Sequence, residues 1–443
     1  LLYSIPFLFT FIVISQPNPL NRQRGGMGKS FAEKILGHKA GKSVVPGEIV
    51  EVKPDIAMSH DNTAAISKTF KEIGVARIDD PNRHVIVLDH CVPAANEKFA
   101  QNHKDIRAFV AEQGIPHFFD IDRGICHQVL PEEGFALPGY LMVGSDSHST
   151  TYGAFGALAT GIGRSEMAVI FATGKIWLRV PETMKIVIKG SLPKGISSKD
   201  VMLKIMGELS ADGGLYKSVW FTGPAIAEMS VSSRMVLTNM AVEFGAKNGY
   251  MEPDDKTLAF LKGRARAPFT VVTSDPDADF ESVHEFDVSD LEPLVACPHS
   301  VDNVKPVSAV KGTKIDQVFF GSCTNARIED FEIVAGALKG KRVHPSCRMV
   351  VIPASRQVFL EALAKGYIQL LAEAGATIVN SGCGPCMGNH EGILAPGERV
   401  LSTSNRNFKG RFGCKDSEIY LCSPLTAAAS ALTGEISDYR ERL

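Results

Sequence analysis

One characteristic stretch of the chain is YLMVGSDSH (140–148), an apolar run that ends in small and polar residues. The same pattern returns in DQVFFGSCTN (316–325) and in ATIVNSGCGPC (376–386). Apolar runs of this length predict buried strands, and helical patterns lie between them along the chain. Alternating strands and helices predict an α/β fold, in which ligands bind beyond the carboxyl ends of the strands. We therefore expect the polar ends of these stretches to form a site.

The length and composition are those of a globular protein rather than of a fibrous or disordered one. The chain has 443 residues, 44% of them hydrophobic, with 47 Lys and Arg against 49 Asp and Glu. The net charge of −2 argues against a basic nucleic-acid-binding protein and against a polybasic membrane-binding protein. Because a typical domain has roughly 150 residues, a chain of this length is expected to form three domains. Joints rich in proline and glycine place these α/β domains at 27–182, 183–300 and 301–443.

The first residues differ from the rest of the chain. LLYSIPFLFTFIVIS (1–15) is almost wholly apolar, but it contains Pro6 and is shorter than the roughly 20 residues that span a bilayer. It also lacks the positive charge that precedes the apolar part of a secretory signal. We expect residues 1–26 to lie outside the native coding start, with a cleaved leader or organelle presequence as the alternative. We expect no membrane association elsewhere in the chain.

The cysteines suggest a metal site more than a disulfide framework. Nine cysteines in this length are sparse, and the number is odd. Cys383 and Cys386 form a C-x-x-C motif between glycines, and Cys323 ends an apolar run. A closed zinc site or an electron-transfer cluster normally needs four protein ligands, whereas three thiolates would leave one iron of a four-iron cluster open for Lewis-acid chemistry. The other cysteines are expected to be inert: Cys91, Cys126, Cys297, Cys347, Cys414 and Cys422.

Histidines and carboxylates also gather at predicted strand ends. Asp89 and His90 end HVIVLDH (84–90), and Asp146 and His148 end the stretch quoted first. A carboxylate next to an imidazole orients the ring and shifts its pKa, which suits acid–base catalysis. Further histidines occur in GICHQ (124–128) and MSHDNT (58–63).

Four motifs together resemble the aconitase superfamily of hydro-lyases. They are GSDSHSTTYGAFGALATGIG (144–163), GSCTNARIEDF (321–331), NSGCGPCMGNHEG (380–392) and SNRNFKGRFG (404–413). The resemblance runs from about Met27 to the C-terminus and implies three α/β/α subdomains around a central iron–sulfur cluster. It implies a [4Fe–4S] cluster on Cys323, Cys383 and Cys386. It further implies catalytic pairs and substrate-binding residues: Asp89 with His90, Asp146 with His127, His148 with Glu243, and then His60, Ser147, Asn239, Arg406 and Arg411.

The resemblance also implies a two-chain enzyme. The long aconitases continue into a swivelling domain that carries the serine base, and this chain stops soon after the last of the four motifs. We therefore expect a small subunit to supply that domain. His60 stands where aconitase itself has a glutamine, which is similar to the isopropylmalate branch of the family. The expected substrate is a small di- or tricarboxylate, with homoaconitate and dimethylmalate hydro-lyases as close alternatives.

Two interpretations from other functional classes stay open at this point. Some relatives of the family bind RNA after losing the cluster, although the charge of −2 does not favour an RNA-binding regulator. A zinc-stabilised interaction module would need a fourth ligand. Because a cluster requires free thiolates, we expect a reducing compartment, the cytoplasm.

Overall fold

A computed structural model describes residues 28–441. The predicted extension at 1–26 lies outside the described residues. Parallel strands followed by helices confirm the predicted α/β fold. The strands are β1 (Ile49–Val52), β2 (Ile56–Ser59), β3 (His84–Val87), β4 (His117–Phe119), β5 (Leu141–Gly144), β6 (Leu158–Gly161), β7 (Ile176–Arg179), β8 (Thr183–Lys189), β9 (Ser218–Thr222), β10 (Asn248–Tyr250), β11 (Ser282–Asp287), β12 (Leu294–Ala296), β13 (Val304–Pro306), β14 (Gln317–Phe320), β15 (Arg348–Val351), β16 (Thr377–Ile378), β17 (Arg399–Ser402) and β18 (Glu418–Leu421).

Helices follow most of the strands and cover the sheets. The α-helices are α1 (Phe31–Ala40), α2 (Thr63–Ile73), α3 (Glu97–Gln113), α4 (Cys126–Glu132), α5 (Arg164–Thr173), α6 (Ser198–Leu209), α7 (Pro224–Glu228), α8 (Val231–Met240), α9 (Asp255–Leu261), α10 (Val307–Val310), α11 (Ile328–Leu338), α12 (Arg356–Ala364), α13 (Tyr367–Glu373) and α14 (Pro424–Ala431). Local signals explain their ends. Helix α3 starts at the side-chain cap of Asn96 and stops at Gly114, whose φ of 69° only glycine adopts readily.

The first large sheet is parallel, with strand order β4-β3-β2-β5-β6. The chain adds strands on one side of β2 and then returns to add β5 and β6 on the other side. Such a reversal opens a crevice at the carboxyl ends of the two central strands. The turns after β2, β3 and β5 carry His60, His90 and Asp146 to that crevice.

The largest sheet has the order β13-β12-β18-β17-β14-β15-β16 and is parallel from β18 to β16. It reverses between β17 and β14, so its crevice lies at their carboxyl ends. Cys323 follows β14, Cys383 and Cys386 follow β16, and Arg406 follows β17. Two of the stretches quoted first therefore end at one edge of this sheet.

A parallel sheet of order β10-β9-β8-β11 lies between these two in sequence. Helix α8 carries Asn239 near its end and leads into a short 3₁₀ turn, Ala241–Phe244, which carries Glu243. The apolar residues of the β10-β9-β8-β11 sheet share one core with the largest sheet. Ile186 and Val219 belong to the same buried cluster as Phe319 and Val400. The proposed domain boundaries stay predictions.

None of the helices within residues 28–441 combines the length and hydrophobicity that crossing a membrane requires.

Candidate active site and cluster pocket

The carboxyl ends of the first and the largest sheet meet in one pocket. The side chains that line it come from loops up to about 320 residues apart in the chain, and most of them are polar or sulfur-containing. The lining residues are His90, His127, Asp146, His148, Ser322, Cys323, Cys383, Cys386, Met387, Asn405, Arg406 and Arg411.

Tight loops hold the three predicted cluster cysteines. Ser322 and Ala326 both have positive φ, 82° and 67°, which bends the loop around Cys323. Gly384 stands between Cys383 and Cys386, and a Cβ there would come within 2.2 Å of the Ile352 side chain. Because only glycine fits at this position, the C-x-x-C loop can lie close against the core.

Side-chain donors are aimed at two of the sulfurs. The Nδ2 atoms of Asn239 and Asn405 lie 3.2 and 3.3 Å from Cys323 Sγ. A guanidinium nitrogen of Arg411 lies 3.6 Å from Cys386 Sγ. Donors in these positions suit thiolates, so the donor set fits a metal centre bound by thiolates.

The distances between ligand atoms distinguish a site for a single ion from a site for a larger cluster. In a tetrahedral zinc site with Zn–S bonds of about 2.3 Å, sulfurs lie about 3.8 Å apart. Within residues 28–441, the ligand atoms that all lie within 4.8 Å of one another belong to two histidine–carboxylate groups and not to the three cysteines. The three cysteines do not form such a compact group within the described residues, which agrees better with a larger centre between them than with one zinc ion.

Asp89 and His90 form a buried hydrogen-bonded pair. The His90 Nδ1 atom lies 2.5 Å from Asp89 Oδ1, and the second oxygen of Asp89 accepts a 2.7 Å hydrogen bond from the backbone N–H of Cys126. Burial alone would lower the pKa of His90, but the neighbouring Asp89 carboxylate raises it well above its usual value. The backbone N–H of Cys383 also donates to the Asp89 carbonyl at 2.9 Å, which ties the pair to the cysteine loop.

Asp146 contacts three histidines. Its carboxylate lies 2.8 Å from His127 Nε2 and 3.3 Å from His90 Nε2, and it accepts the backbone N–H of His148 at 2.8 Å. The last contact has a local origin, because Asp146 caps the 3₁₀ helix Ser147–Phe155. Burial alone would raise the pKa of Asp146, but the hydrogen bond and the charge of His127 hold it well below its usual value.

Glu243 joins His148 to Arg406. Its Oε1 atom lies 2.6 Å from His148 Nε2, and both carboxylate oxygens accept from Arg406 Nε at 2.8 and 3.0 Å. Another guanidinium nitrogen of Arg406 donates to Ser147 Oγ at 2.8 Å. Burial would raise the pKa of Glu243, but the Arg406 charge and the His148 hydrogen bond keep it below its usual value. An ionised carboxylate thus holds a histidine and an arginine together.

His60 and Arg411 each keep a free polar atom. The His60 ring stacks on the His90 ring with centroids 3.8 Å apart, and burial lowers the pKa of His60 to about 4, so it is neutral at pH 7. Within the described part of the chain, His60 Nδ1 and Arg411 Nε are buried without a hydrogen-bond partner. Buried polar atoms are rarely left unpaired, so these two suit contacts with a bound molecule.

A sequence profile of the aconitase family (aconitate hydratase) matches residues 33–434, which include every site residue described above. The chain belongs to the aconitase family. It is 53% identical over 418 residues to 3-isopropylmalate dehydratase large subunit 1 of Methanopyrus kandleri, covering 94% of this chain and 100% of that protein. It is 55% identical over 388 residues to the probable methanogen homoaconitase large subunit of Methanosarcina mazei, covering 87% of this chain and 98% of that protein.

A solved structure agrees on the fold. Aconitase X of Thermococcus kodakaraensis in its holo-form superposes with a TM-score of 0.51, covering 87% of this chain and 91% of that chain. The two sequences are 14% identical, so this likeness supports the fold of the aconitase-family chain and nothing finer.

Sequence reasoning missed Asp61, which shapes the site of this aconitase-family chain. Asp61 accepts backbone N–H bonds from Asp89 at 2.9 Å, His90 at 2.8 Å and Cys91 at 3.1 Å, and its carboxylate lies 3.0 Å from His103 Nε2. The motif MSHDNT contains Asp61, but no local pattern says that its carboxylate holds a turn about 30 residues away.

Arg327 and Asn405 were missed for the same reason, although both lie inside quoted motifs. The Arg327 guanidinium donates to the carbonyls of Cys323 and Thr324, each at 2.7 Å, and to the Gln128 side chain at 2.8 Å. It therefore fixes the backbone of the Cys323 loop. Asn405, from the motif at 404–413, contacts the sulfur of Cys323.

Replacing Asp61 by asparagine should destabilise the chain. Burial alone would raise the pKa of Asp61, but the hydrogen bond from His103 and the charge of His90 hold it well below its usual value. An asparagine cannot accept from all four donors, so we expect Asp61→Asn to lower the free energy of unfolding by about 2–4 kcal/mol at pH 7. Because the pKa of Asp61 is depressed in the folded state, its ionised carboxylate stabilises the fold at a pH above the unfolded pKa of about 3.9. The difference in stability between the variant and wild type should therefore shrink as the pH falls below about 4.

The measurement is the urea unfolding midpoint at pH 7 and at pH 3, followed by circular dichroism. Asp120 pairs with Arg107 on the surface and offers a matched control, for which Asp120→Asn should change stability by less than about 1 kcal/mol. Equal midpoints for Asp61→Asn and wild type at pH 7 would contradict the assigned role.

Proposed function

We propose that this chain is the large catalytic subunit of a 3-isopropylmalate dehydratase, which interconverts 2-isopropylmalate and 3-isopropylmalate in leucine biosynthesis. The observation that carries the proposal is the pocket itself, where three thiols, three histidines that each contact a carboxylate and an arginine with an unpartnered nitrogen meet. The family membership makes the chain a hydro-lyase, and large subunits of this name are its relatives at 53% and 48% identity.

Cys323, Cys383 and Cys386 would hold a [4Fe–4S] cluster. Such a cluster supplies a Lewis acid that polarises the substrate hydroxyl, because three protein ligands leave one iron open. The free side chains of all three cysteines and the amide donors on Cys323 support this assignment. Free thiols throughout the described residues also favour a reducing compartment, the cytoplasm.

The remaining residues would bind the substrate and move protons. Arg411 would grip a carboxylate through its unpartnered Nε, while Arg406 would present its guanidinium in the orientation set by Glu243 and Ser147. His90 would donate a proton to the departing hydroxyl, with Asp89 orienting its ring at 2.5 Å. His127 and His148 would position that hydroxyl or the returning water, Asn239 would face the cluster, and the neutral His60 would contact the substrate.

A small subunit would complete the site with the serine base and the loop that selects the substrate side chain. Several relatives are themselves named large subunits, which supports a two-chain enzyme. Homoaconitate hydration is a second candidate, since the Methanosarcina mazei relative is 55% identical. A 2,3-dimethylmalate dehydratase is the remaining alternative.

The test is turnover by the anaerobically purified chain with and without a small subunit from the same genome. We expect no detectable turnover by the large chain alone and full activity of the pair on isopropylmalate, with far less on homoaconitate and dimethylmalate. Full activity of the large chain alone would contradict the two-chain proposal. Faster turnover of homoaconitate would assign the chain to that enzyme instead.

A further inference from the structure

Lys199 is a buried cation that none of the preceding assignments uses. It is the second residue of α6, and none of its surface is exposed to solvent. A buried ammonium group is costly unless its protons meet acceptors, so its partners indicate what it is there to hold.

Those partners belong to the segment that enters the pocket. Lys199 Nζ donates to the backbone carbonyls of Thr403 at 2.9 Å and Ser404 at 2.5 Å, more than 200 residues away in the chain. Both carbonyls lie directly after β17, and the next two residues are Asn405 and Arg406. The ammonium group therefore fixes the backbone from which both of these side chains project.

The side chain of Asn405 lies between two of the predicted cluster ligands. Its Nδ2 atom is 3.3 Å from Cys323 Sγ and 3.1 Å from Asn239 Oδ1, and its Oδ1 atom is 3.9 Å from Cys386 Sγ. A shift of the carbonyls held by Lys199 would move this amide relative to both sulfurs. Lys199 is thus linked to the cysteine loops through Ser404, whose carbonyl it contacts, and Asn405, whose amide lies near both sulfurs.

The acceptors of Lys199 are carbonyls rather than a carboxylate. The neighbouring Asp200 uses its carboxylate on the backbone N–H groups of Ser197 and Leu294. Burial lowers the pKa of Lys199 to about 8, and negative charge on Cys422, Cys323 and Cys386 would act in the opposite direction. The ammonium group therefore keeps its charge at pH 7 and lies in the field of the cluster cysteines.

We propose that Lys199 is a positioning residue of the cluster site, which fixes the 403–406 segment against Cys323 and Cys386 and adds a positive charge whose field reaches their sulfurs. The inference rests on the proposed function, because it needs the cluster to be present. Hydrogen bonds and net charge around an iron–sulfur cluster set its reduction potential. A fixed cation favours the added electron, so its loss should shift the midpoint potential to a more negative value.

The experiment compares four proteins purified without oxygen: wild type, Lys199→Gln, Lys199→Met and Lys204→Met. Glutamine keeps N–H donors for the two carbonyls but removes the charge, whereas methionine removes both. Lys204 lies on the same helix in a partly exposed ion pair with Glu208, which makes it the matched control for charge removal. The readouts are iron and sulfide content, and midpoint potential from a dithionite titration followed by electron paramagnetic resonance.

We expect both Lys199 variants to bind a cluster with a more negative midpoint potential, and Lys204→Met to match wild type. The methionine variant should also lose its cluster iron in air about 10–100-fold faster, because the segment is no longer held. Unchanged potentials in both variants would overturn the inference, and so would misfolding of both while Lys204→Met folds. A wild-type protein without iron and sulfide would instead contradict the proposed function.

Discussion

Cys386→Ser is expected to abolish the cluster and with it the activity. Cys386 is one of three thiols in the pocket, and its sulfur is contacted by Arg411 and approached by Asn405. A serine hydroxyl is a much poorer ligand for a soft metal centre than a thiolate. Activity of the reconstituted enzyme should fall below about 0.1% of wild type, a loss of at least about 4 kcal/mol of transition-state stabilisation. The broad visible absorption of the anaerobic protein should disappear with it.

Cys414→Ser is the matched control, because Cys414 is a free and partly exposed cysteine outside the lining of the pocket. It should retain the visible spectrum, the iron content and the activity. Circular dichroism should show that both serine variants are folded. An unchanged cluster spectrum in Cys386→Ser would remove this residue from the ligand set.

Asp146→Asn is expected to reduce turnover strongly while the cluster stays bound. Asp146 accepts from the backbone N–H of His148 and lies within 3.3 Å of ring nitrogens of His127 and His90. An asparagine keeps the size but removes the charge that orients these rings and that helps to stabilise the protonated form of His90. Because general acid–base groups contribute about 10²–10⁴-fold, we expect kcat to fall by about 10³-fold.

The iron content and visible spectrum of Asp146→Asn should match wild type, since its carboxylate is not a predicted ligand of the cluster. Asp120→Asn serves again as the control for the same chemical change on the surface, and its kcat should not change. The pH profile of the residual activity should also differ from that of wild type. A kcat within threefold of wild type would show that Asp146 is not part of the acid–base machinery.

Local patterns were sufficient for the fold and for the chemical character of the site. The apolar runs that end in SDSH, GSCTN and SGCGPC predict strands with functional carboxyl ends, and β5, β14 and β16 are those strands. For β5 and β14, whose residues are all buried, the prediction succeeds because burial of a parallel strand requires a continuous apolar run, which is visible in the sequence itself. The expectation of a buried strand is wrong for β16, because it is a two-residue strand at the edge of its sheet. Helix ends such as Gly114 are equally local, since capping involves only neighbouring residues.

The residues that support the site through contacts with distant segments of the chain could not be predicted in the same way. Asp61 contacts backbone groups at positions 89 to 91, Arg327 reaches Gln128, and Lys199 reaches carbonyls at 403 and 404. Each of these contacts joins segments between about 28 and 205 residues apart. Nothing in the spacing of a motif encodes a partner at such a distance, because the packing of whole sheets brings the two segments together.

The sequence by itself determined the α/β class, the strand ends that carry chemistry, and the kind of side chain that each strand end presents. These follow from hydrophobic periodicity and residue type, which act over a few neighbouring positions. Only the tertiary structure decided that Asp146 contacts three histidines, that Glu243 joins His148 to Arg406, and that a buried lysine supports the Asn405 segment. These arrangements depend on where three sheets meet, and that is set by the packing of several buried cores rather than by any local pattern.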